Sequence, residues 1–194
     1  MINPFKFGSV VEDTFFTNRK KELDFVARTI NSNNHLIIIS PRRFGKTSLI
    51  KKAISETDRK VVYLDVQLTN SVQDFAAQLL KRIYRHWPGE KLRQLISHFR
   101  VVPNISINPL NNEVDISFQS KVAGMPVLED VFDLLDKIGS KKDRPVVVLD
   151  EFQDIIKLEN GIDRKLRAIM QQHQQVNYVM LGSQESLMRE IFED

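Results

Sequence analysis

The stretch Ser40-Pro41-Arg42-Arg43-Phe44-Gly45-Lys46-Thr47 constrains this chain more than any other. Before it runs His35-Leu36-Ile37-Ile38-Ile39, short, apolar and rich in β-branched residues. After it, Leu49, Ile50, Ala53 and Ile54 recur at helical spacing. Strand, tight loop, then helix is the setting that a phosphate-binding loop requires. Such a loop turns successive backbone N–H groups toward one point, and the helix N-terminus adds the positive end of its dipole. Gly45 allows close backbone approach and an unusual φ. Lys46 would reach the terminal phosphates, and the Thr47 hydroxyl would ligate Mg²⁺. The general pattern G-x-x-x-x-G-K-S/T has Gly where this chain has Ser40, a small residue that can still open the turn. A strand–turn–helix carrying a chance Gly-Lys-Thr is the plainer alternative.

A second element weighs against that alternative. Pro145-Val146-Val147-Val148-Leu149-Asp150-Glu151 is an apolar run ending in two carboxylates. It reads as a buried parallel strand. An Asp at the tip of such a strand can hold Mg²⁺, directly or through water. Glu151, the next residue, could orient and deprotonate a water. The competing reading is a strand that ends in a solvated acidic turn.

The chain has 194 residues, enough for one domain with a proper core. Hydrophobic residues make up 42% and charged residues 27%, which argues against disorder. No apolar run approaches the roughly 20 residues that cross a bilayer. The N-terminus lacks the apolar core of a signal peptide, and there are no cysteines, so the expected compartment is the cytoplasm. The net charge of +3 says little, because the basic residues near the loop already suit phosphates. Lys81, Arg82, Arg85, His86, Lys91 and Arg93 form a further cluster, read as the solvated side of a helix. The four histidines lie far apart without ligand spacing, so nothing points to a structural metal.

Along the chain, Phe5, Phe7, Phe15 and Phe16 form an aromatic arm, and Thr17-Asn18 reads as a helix start. Val61–Val66 is the second strand, and its Asp65 either lies near the site or caps a loop. Ser71 opens a helix with a broad apolar stripe from Val72 to Trp87. Residues 90–125 interrupt the alternation of strands and helices. Within residues 101–120, Ile105 and Ile107, then Val114, Ile116 and Phe118, alternate with polar residues as in a β-hairpin. Such an insertion covers the sheet edge or contacts a partner, and the first is favoured. Another amphipathic helix carries Val127 to Ile138. After the acidic pair, Phe152 to Asn160 reads as a charged connection to a helix through Met170. Val176–Leu181 is the fourth parallel strand, followed by Gly182-Ser183-Gln184 and a last helix.

Strands alternating with helices imply a parallel sheet with helices on both faces, an α/β three-layer αβα sandwich. Ligands in such sheets bind beyond the C-terminal strand ends. The loop after Ile39, the pair Asp150-Glu151 and Ser183-Gln184 all fall there. Ser183 or Gln184 could sense a γ-phosphate or hold the attacking water; the alternative for Ser183 is a helix N-cap.

These motifs resemble the archaeal-type P-loop ATPases, related to the AAA+ and STAND ATPases. Phe16-Thr17-Asn18-Arg19-Lys20-Lys21-Glu22-Leu23 is similar to that group's F-x-G-R-x-x-E-L. Residues 40–49 are similar to its G-P-R-R-x-G-K-T-S-L, and residues 146–153 to its Walker B element. The resemblance implies ATP and Mg²⁺ as cofactors, since no guanine-reading N-K-x-D is visible. It implies a sheet ordered 5-1-4-3-2, of which four strands are found here. The expectation is one P-loop domain over residues 1–194, cut before its fifth core strand. Phosphate binding falls to Arg42, Arg43, Phe44, Gly45, Lys46, Thr47 and Ser48. Thr47 and Asp150 would hold the metal, with Glu151, Lys46, Ser183 and Gln184 at the chemistry. The expected function is Mg²⁺-dependent hydrolysis of ATP to ADP and phosphate coupled to conformational change. The alternative is a nucleotide-gated switch with negligible turnover. The resemblance also admits a homo-oligomer, and DNA or protein partners met through regions outside this chain.

Overall fold

The computed structural model describes residues 19–32, 34–110, 113–119 and 123–193. Seven helices are described: α1 Lys20–Asn31, α2 Lys46–Ser55, α3 Val72–His86, α4 Glu90–Ser97, α5 Gly124–Ile138, α6 Ile162–Gln172 and α7 Glu185–Glu193. The strands are β1 Leu36–Ile39, β2 Val61–Asp65, β3 Asn104–Ile107, β4 Val114–Ser117, β5 Val146–Asp150 and β6 Asn177–Gly182. β1, β6, β5 and β2 lie side by side in that order, all parallel. This is the order the resemblance implies for its first four strands. Among the described residues no strand pairs with the outer edge of β1, where Ile37 and Ile39 are exposed. No helix among them is long and apolar enough to cross a membrane.

Side-chain alternation divides the core in two, giving the three layers expected. Val146 and Val148 of β5, with Val179 and Leu181 of β6, pack under α1 and α2. Val147 and Leu149, with Tyr178 and Met180, face α3, α5, α6 and α7. Both central strands are buried along their whole length, as continuous apolar runs in a parallel sheet should be. The α3 stripe forms as read, with the Ser71 hydroxyl capping the Asp74 N–H at 3.1 Å.

Several expectations need correction. Helix α4 lies in the stretch read as an interruption; it is only eight residues long, and its buried Leu92 and Ile96, four positions apart, carry a helical spacing that went unread. The hairpin forms a separate two-stranded sheet and does not cover the edge of the main one. Its apolar face, with Ile116 buried and Ile105 and Val114 partly so, packs on the core cluster that includes α3. Lys81 of α3 pairs with Glu113 at 3.4 Å and Asp115 at 3.9 Å, so part of the basic cluster is neutralised by the hairpin. The connection after β5 is not loose: Phe152–Lys157 is a 3₁₀ helix that buries Phe152, Gln153, Asp154 and Ile155. The aromatic arm, the expected Thr17-Asn18 cap and residues 111–112 between the hairpin strands lie outside the described residues. As described, α1 has Arg19 at its N-cap without a side-chain cap bond.

The N-terminal ends of the strands are tied by Arg59 and the fully buried Asn177. Arg59 donates to the Ile30 carbonyl, to the Arg144 carbonyl at 2.7 Å and to Asn177 Oδ1 at 2.6 Å. The Asn177 amide donates to the Ser32 and Asn34 carbonyls at 3.0 and 2.9 Å. At the other end, Gly182 closes β6 against α7. A Cβ there would stand 2.3 Å from Met188 Cγ and 2.4 Å from its sulfur, and Met188 is fully buried. Gly182→Ala is expected to destabilise the chain by about 1–3 kcal/mol through overpacking. Denaturant unfolding measures this, and the added cost should shrink in a Met188→Ala background.

Candidate functional site

The loop after β1 takes the shape its residues allow. The Ser40 N–H donates to the Gly182 carbonyl at 3.1 Å, which keeps the loop in line with β6 as it leaves the sheet. Gly45 sits in the left-handed region at φ 75°, where an L side chain is strained. Arg43 also has a positive φ, 69°. From outside the loop, Arg19 Nη1 donates to the Phe44 carbonyl at 2.8 Å. Arg19, within the N-terminal motif, therefore touches the phosphate loop. Arg42, Arg43 and Phe44 are exposed, whereas Lys46 and Ser48 are buried at the start of α2.

The tips of β5 and β6 meet this loop. Lys46 Nζ lies 2.7 Å from Glu151 Oε1, and both side chains are largely buried. Thr47 Oγ1 donates to Asp150 Oδ2 at 2.8 Å. Asp150 is only 3% exposed; its Oδ1 accepts the Glu151 N–H at 2.9 Å, and its Oδ2 also accepts the Tyr63 hydroxyl at 2.5 Å. Glu151 adopts a left-handed backbone, φ 50°, which turns its carboxylate back over the strand ends. There the Ser183 hydroxyl and Gln153 Nε2, the latter at 2.7 Å, donate to its Oε2. Gln153 Oε1 in turn accepts the Ser183 N–H at 3.2 Å.

Burial alone would push the Glu151 carboxyl up. Hydrogen bonds from Lys46, Ser183 and Gln153 and the charge of Lys46 outweigh it and hold the group below the usual carboxylate range. Asp65 lies level with Asp150 across the sheet, but its own oxygen accepts the Gln67 N–H at 3.0 Å. It is both near the site and a loop cap. Burial, first, raises its pKa, with the neighbouring carboxylates adding to the shift.

Of the residues picked from sequence, Lys46, Thr47, Asp150, Glu151 and Ser183 come together. Ser183 is engaged with Glu151. Gln184 is not brought in: it is exposed just before α7, and its carbonyl accepts the Met188 N–H. The position expected of its amide is taken by Gln153, which is completely buried. Gln153 entered the sequence argument only inside the Walker B resemblance, and Tyr63 not as a site residue at all. A polar side chain two places after the acidic pair was the available signal for Gln153. For Tyr63 it was the strand alternation that puts a phenol on the same sheet face as Asp150.

Parallel sheet, loop and converging acidic tips define a P-loop nucleotide-binding α/β domain. The family described as an ATPase domain predominantly from Archaea matches residues 16–194, and this chain belongs to it. An uncharacterised ATP-binding protein of Methanocaldococcus jannaschii is 54% identical over 39 residues, 19% of this chain and 66% of that protein. The fold is similar to that of a Walker-type ATPase of Pyrococcus abyssi, with a TM-score of 0.62 at 17% identity. The match covers 93% of this chain and 49% of that one. The ORC2 protein of Aeropyrum pernix, solved in ADPNP–ADP complexes, gives a TM-score of 0.51 at 15% identity, covering 90% of this chain and 44% of that one. The chain thus spans about half the length of these solved structures.

The Lys46–Glu151 contact has a measurable energy. In a double-mutant cycle of Lys46→Met and Glu151→Gln, stability should show a coupling of about 0.5–3 kcal/mol. Glu151 has a folded pKa below its ordinary 4.5. The coupling should therefore be whole above that pH and be lost as pH falls through the lower folded value. Chemical denaturation at a series of pH values checks both the size and the sign.

Proposed function

We propose that this chain binds ATP with Mg²⁺ and hydrolyses it to ADP and phosphate. The observation that carries the reading is the meeting of Lys46 with Glu151 and of Thr47 with Asp150 at the strand tips. Family membership and the ATP-binding relative support the choice of nucleotide. The oxygens of Thr47 and Asp150 fit Mg²⁺: they are hard donors 2.8 Å apart. Among the described residues no group of three or more His, Cys, Asp or Glu could hold a metal. One or two protein oxygens, with phosphate and water completing the shell, is the usual Mg²⁺ pattern. Held by Thr47 and Asp150, the cation would neutralise charge on the phosphates.

The chain's own residues supply the rest. The N–H groups of residues 42–47 and Lys46 hold the phosphates and stabilise charge as it spreads over the γ-phosphoryl oxygens. A γ-phosphate competes with Glu151 for Lys46. Once Lys46 moves to phosphate, Glu151 loses its cation and its pKa returns toward the ordinary range, which makes it a better base. Glu151 then takes the proton of a water whose oxygen bonds to the γ-phosphorus as the bond to the β-phosphate oxygen breaks. Ser183 and Gln153 keep the carboxylate aimed. Ser183 directly precedes Gln184 and α7, so a change at Glu151 is felt at that helix, which is the route to conformational coupling.

Calorimetric titration of ATP and Mg²⁺ into the 194-residue chain tests the reading. Lys46→Ala should weaken binding by about 100-fold or more. Glu151→Gln should keep binding and lower phosphate release by about 10²–10⁴-fold. Absence of binding by the folded wild-type chain would overturn the assignment. Binding without phosphate release by the wild type would support the nucleotide-gated switch instead.

A further inference from the structure

Tyr63 belongs to β2, a strand that contributes nothing to the phosphate loop or the acidic pair. Its position follows from the register: Tyr63 lies beside Val148, and Asp65 beside Asp150. Strand alternation puts Val61, Tyr63 and Asp65 on the α2 side of the sheet, since Val62 and Leu64 fill the opposite core. The ring packs against the α2-side core, and Lys51 Nζ lies 5.6 Å from its centroid. From there the phenol points up the strand direction and its hydroxyl reaches Asp150 Oδ2 at 2.5 Å.

That oxygen has two hydroxyl donors, Tyr63 and Thr47. They differ in what happens when a cation binds. The Thr47 oxygen is itself a candidate ligand and would give up its bond to Asp150 for one to the metal. The Tyr63 hydroxyl is carried by a half-buried ring packed against the core and would not need to move. It remains the side-chain donor that fixes the angle of the Asp150 carboxylate, while the Glu151 N–H holds the other oxygen.

Resting on the Mg²⁺-ATP reading of this site, we propose that Tyr63 is a positioning residue for the cation, holding Asp150 in the orientation that receives Mg²⁺ or its waters. Outer-shell donors of this kind typically tune metal affinity by 10–100-fold. The hydroxyl supplies no charge and no proton to the reaction; its contribution is orientation.

The test is calorimetric titration of ATP into the wild-type chain and Tyr63→Phe, each with Mg²⁺ and with EDTA. Phenylalanine keeps the ring and removes only the hydroxyl. The two proteins should bind metal-free ATP alike. With Mg²⁺ the variant should bind about tenfold more weakly, and should need about tenfold more Mg²⁺ for half of the gain in affinity. An equal Mg²⁺ gain in both proteins would overturn the proposal. So would an equal loss in Mg²⁺ and EDTA, which would make Tyr63 a packing residue of the nucleotide pocket. The wild type decides the underlying reading separately. If it binds no ATP, or gains nothing from Mg²⁺, that reading fails and the role of Tyr63 falls with it.

Discussion

One cation and two carboxylates, Lys46, Asp150 and Glu151, stand together at the least exposed point of the strand tips. Removing such charges from water is costly unless each finds a partner, and breaking one partner of a buried pair leaves the other uncompensated. Every surrounding element can be understood from that requirement. The phosphate loop ends with Lys46 directed at Glu151. The first turn of α2 presents Thr47 to Asp150. β2 sends Tyr63 to the same carboxylate, and β6 delivers Ser183 to Glu151. The site is thus a connected set of donors and acceptors rather than a bare pocket, and on the proposed reading a nucleotide would have to re-partner them.

The residues gathered at the site come from separate elements. Each strand tip can move a side chain by changing a rotamer, while the backbone remains held by a sheet buried on both faces. Arg43 and Glu151, neither of them glycine, sit in left-handed backbone conformations, one in the phosphate loop and one at the tip of β5. Strain of this sort persists only where the surroundings over-determine it, and it collects at functional sites. Here it flanks the ion pair that Lys46 makes with Glu151 across more than a hundred positions of sequence.

A parallel sheet covered on both faces was legible because the strands are uninterrupted apolar runs, while the order of its strands came from the family resemblance. Val146 to Leu149 and Tyr178 to Leu181 admit no solvated face, and their acidic or glycine ends fix which end of the sheet is the site. The phosphate loop was equally plain, since Gly45, Lys46 and Thr47 each answer a distinct requirement. What escaped was set by tertiary packing. Helix α4 is a short, eight-residue element beside the alternating hairpin segment, and the hairpin's apolar face could be seen but not what it would meet. Gln184 and Gln153 are chemically identical candidates. Only the tight 3₁₀ turn after Glu151 turns the second inward, a fold-level event with no local periodicity. Tyr63 looked like an ordinary strand aromatic because its partner lies on another strand.

The Arg59–Asn177 knot at the opposite end has a mechanical meaning. It ties the connection after α1, the approach to β2, the approach to β5 and the first residue of β6 through one guanidinium and one amide. A plate clamped along one border deflects only at the other. With the strand starts pinned, neighbouring strands cannot slide in register. On the proposed coupling, work done at the tips would be confined to the free rim: the phosphate loop, the turn at Glu151, and Ser183 with α7 behind it. The sheet would then be the fixed arm of a lever, with α7 as the arm left to move.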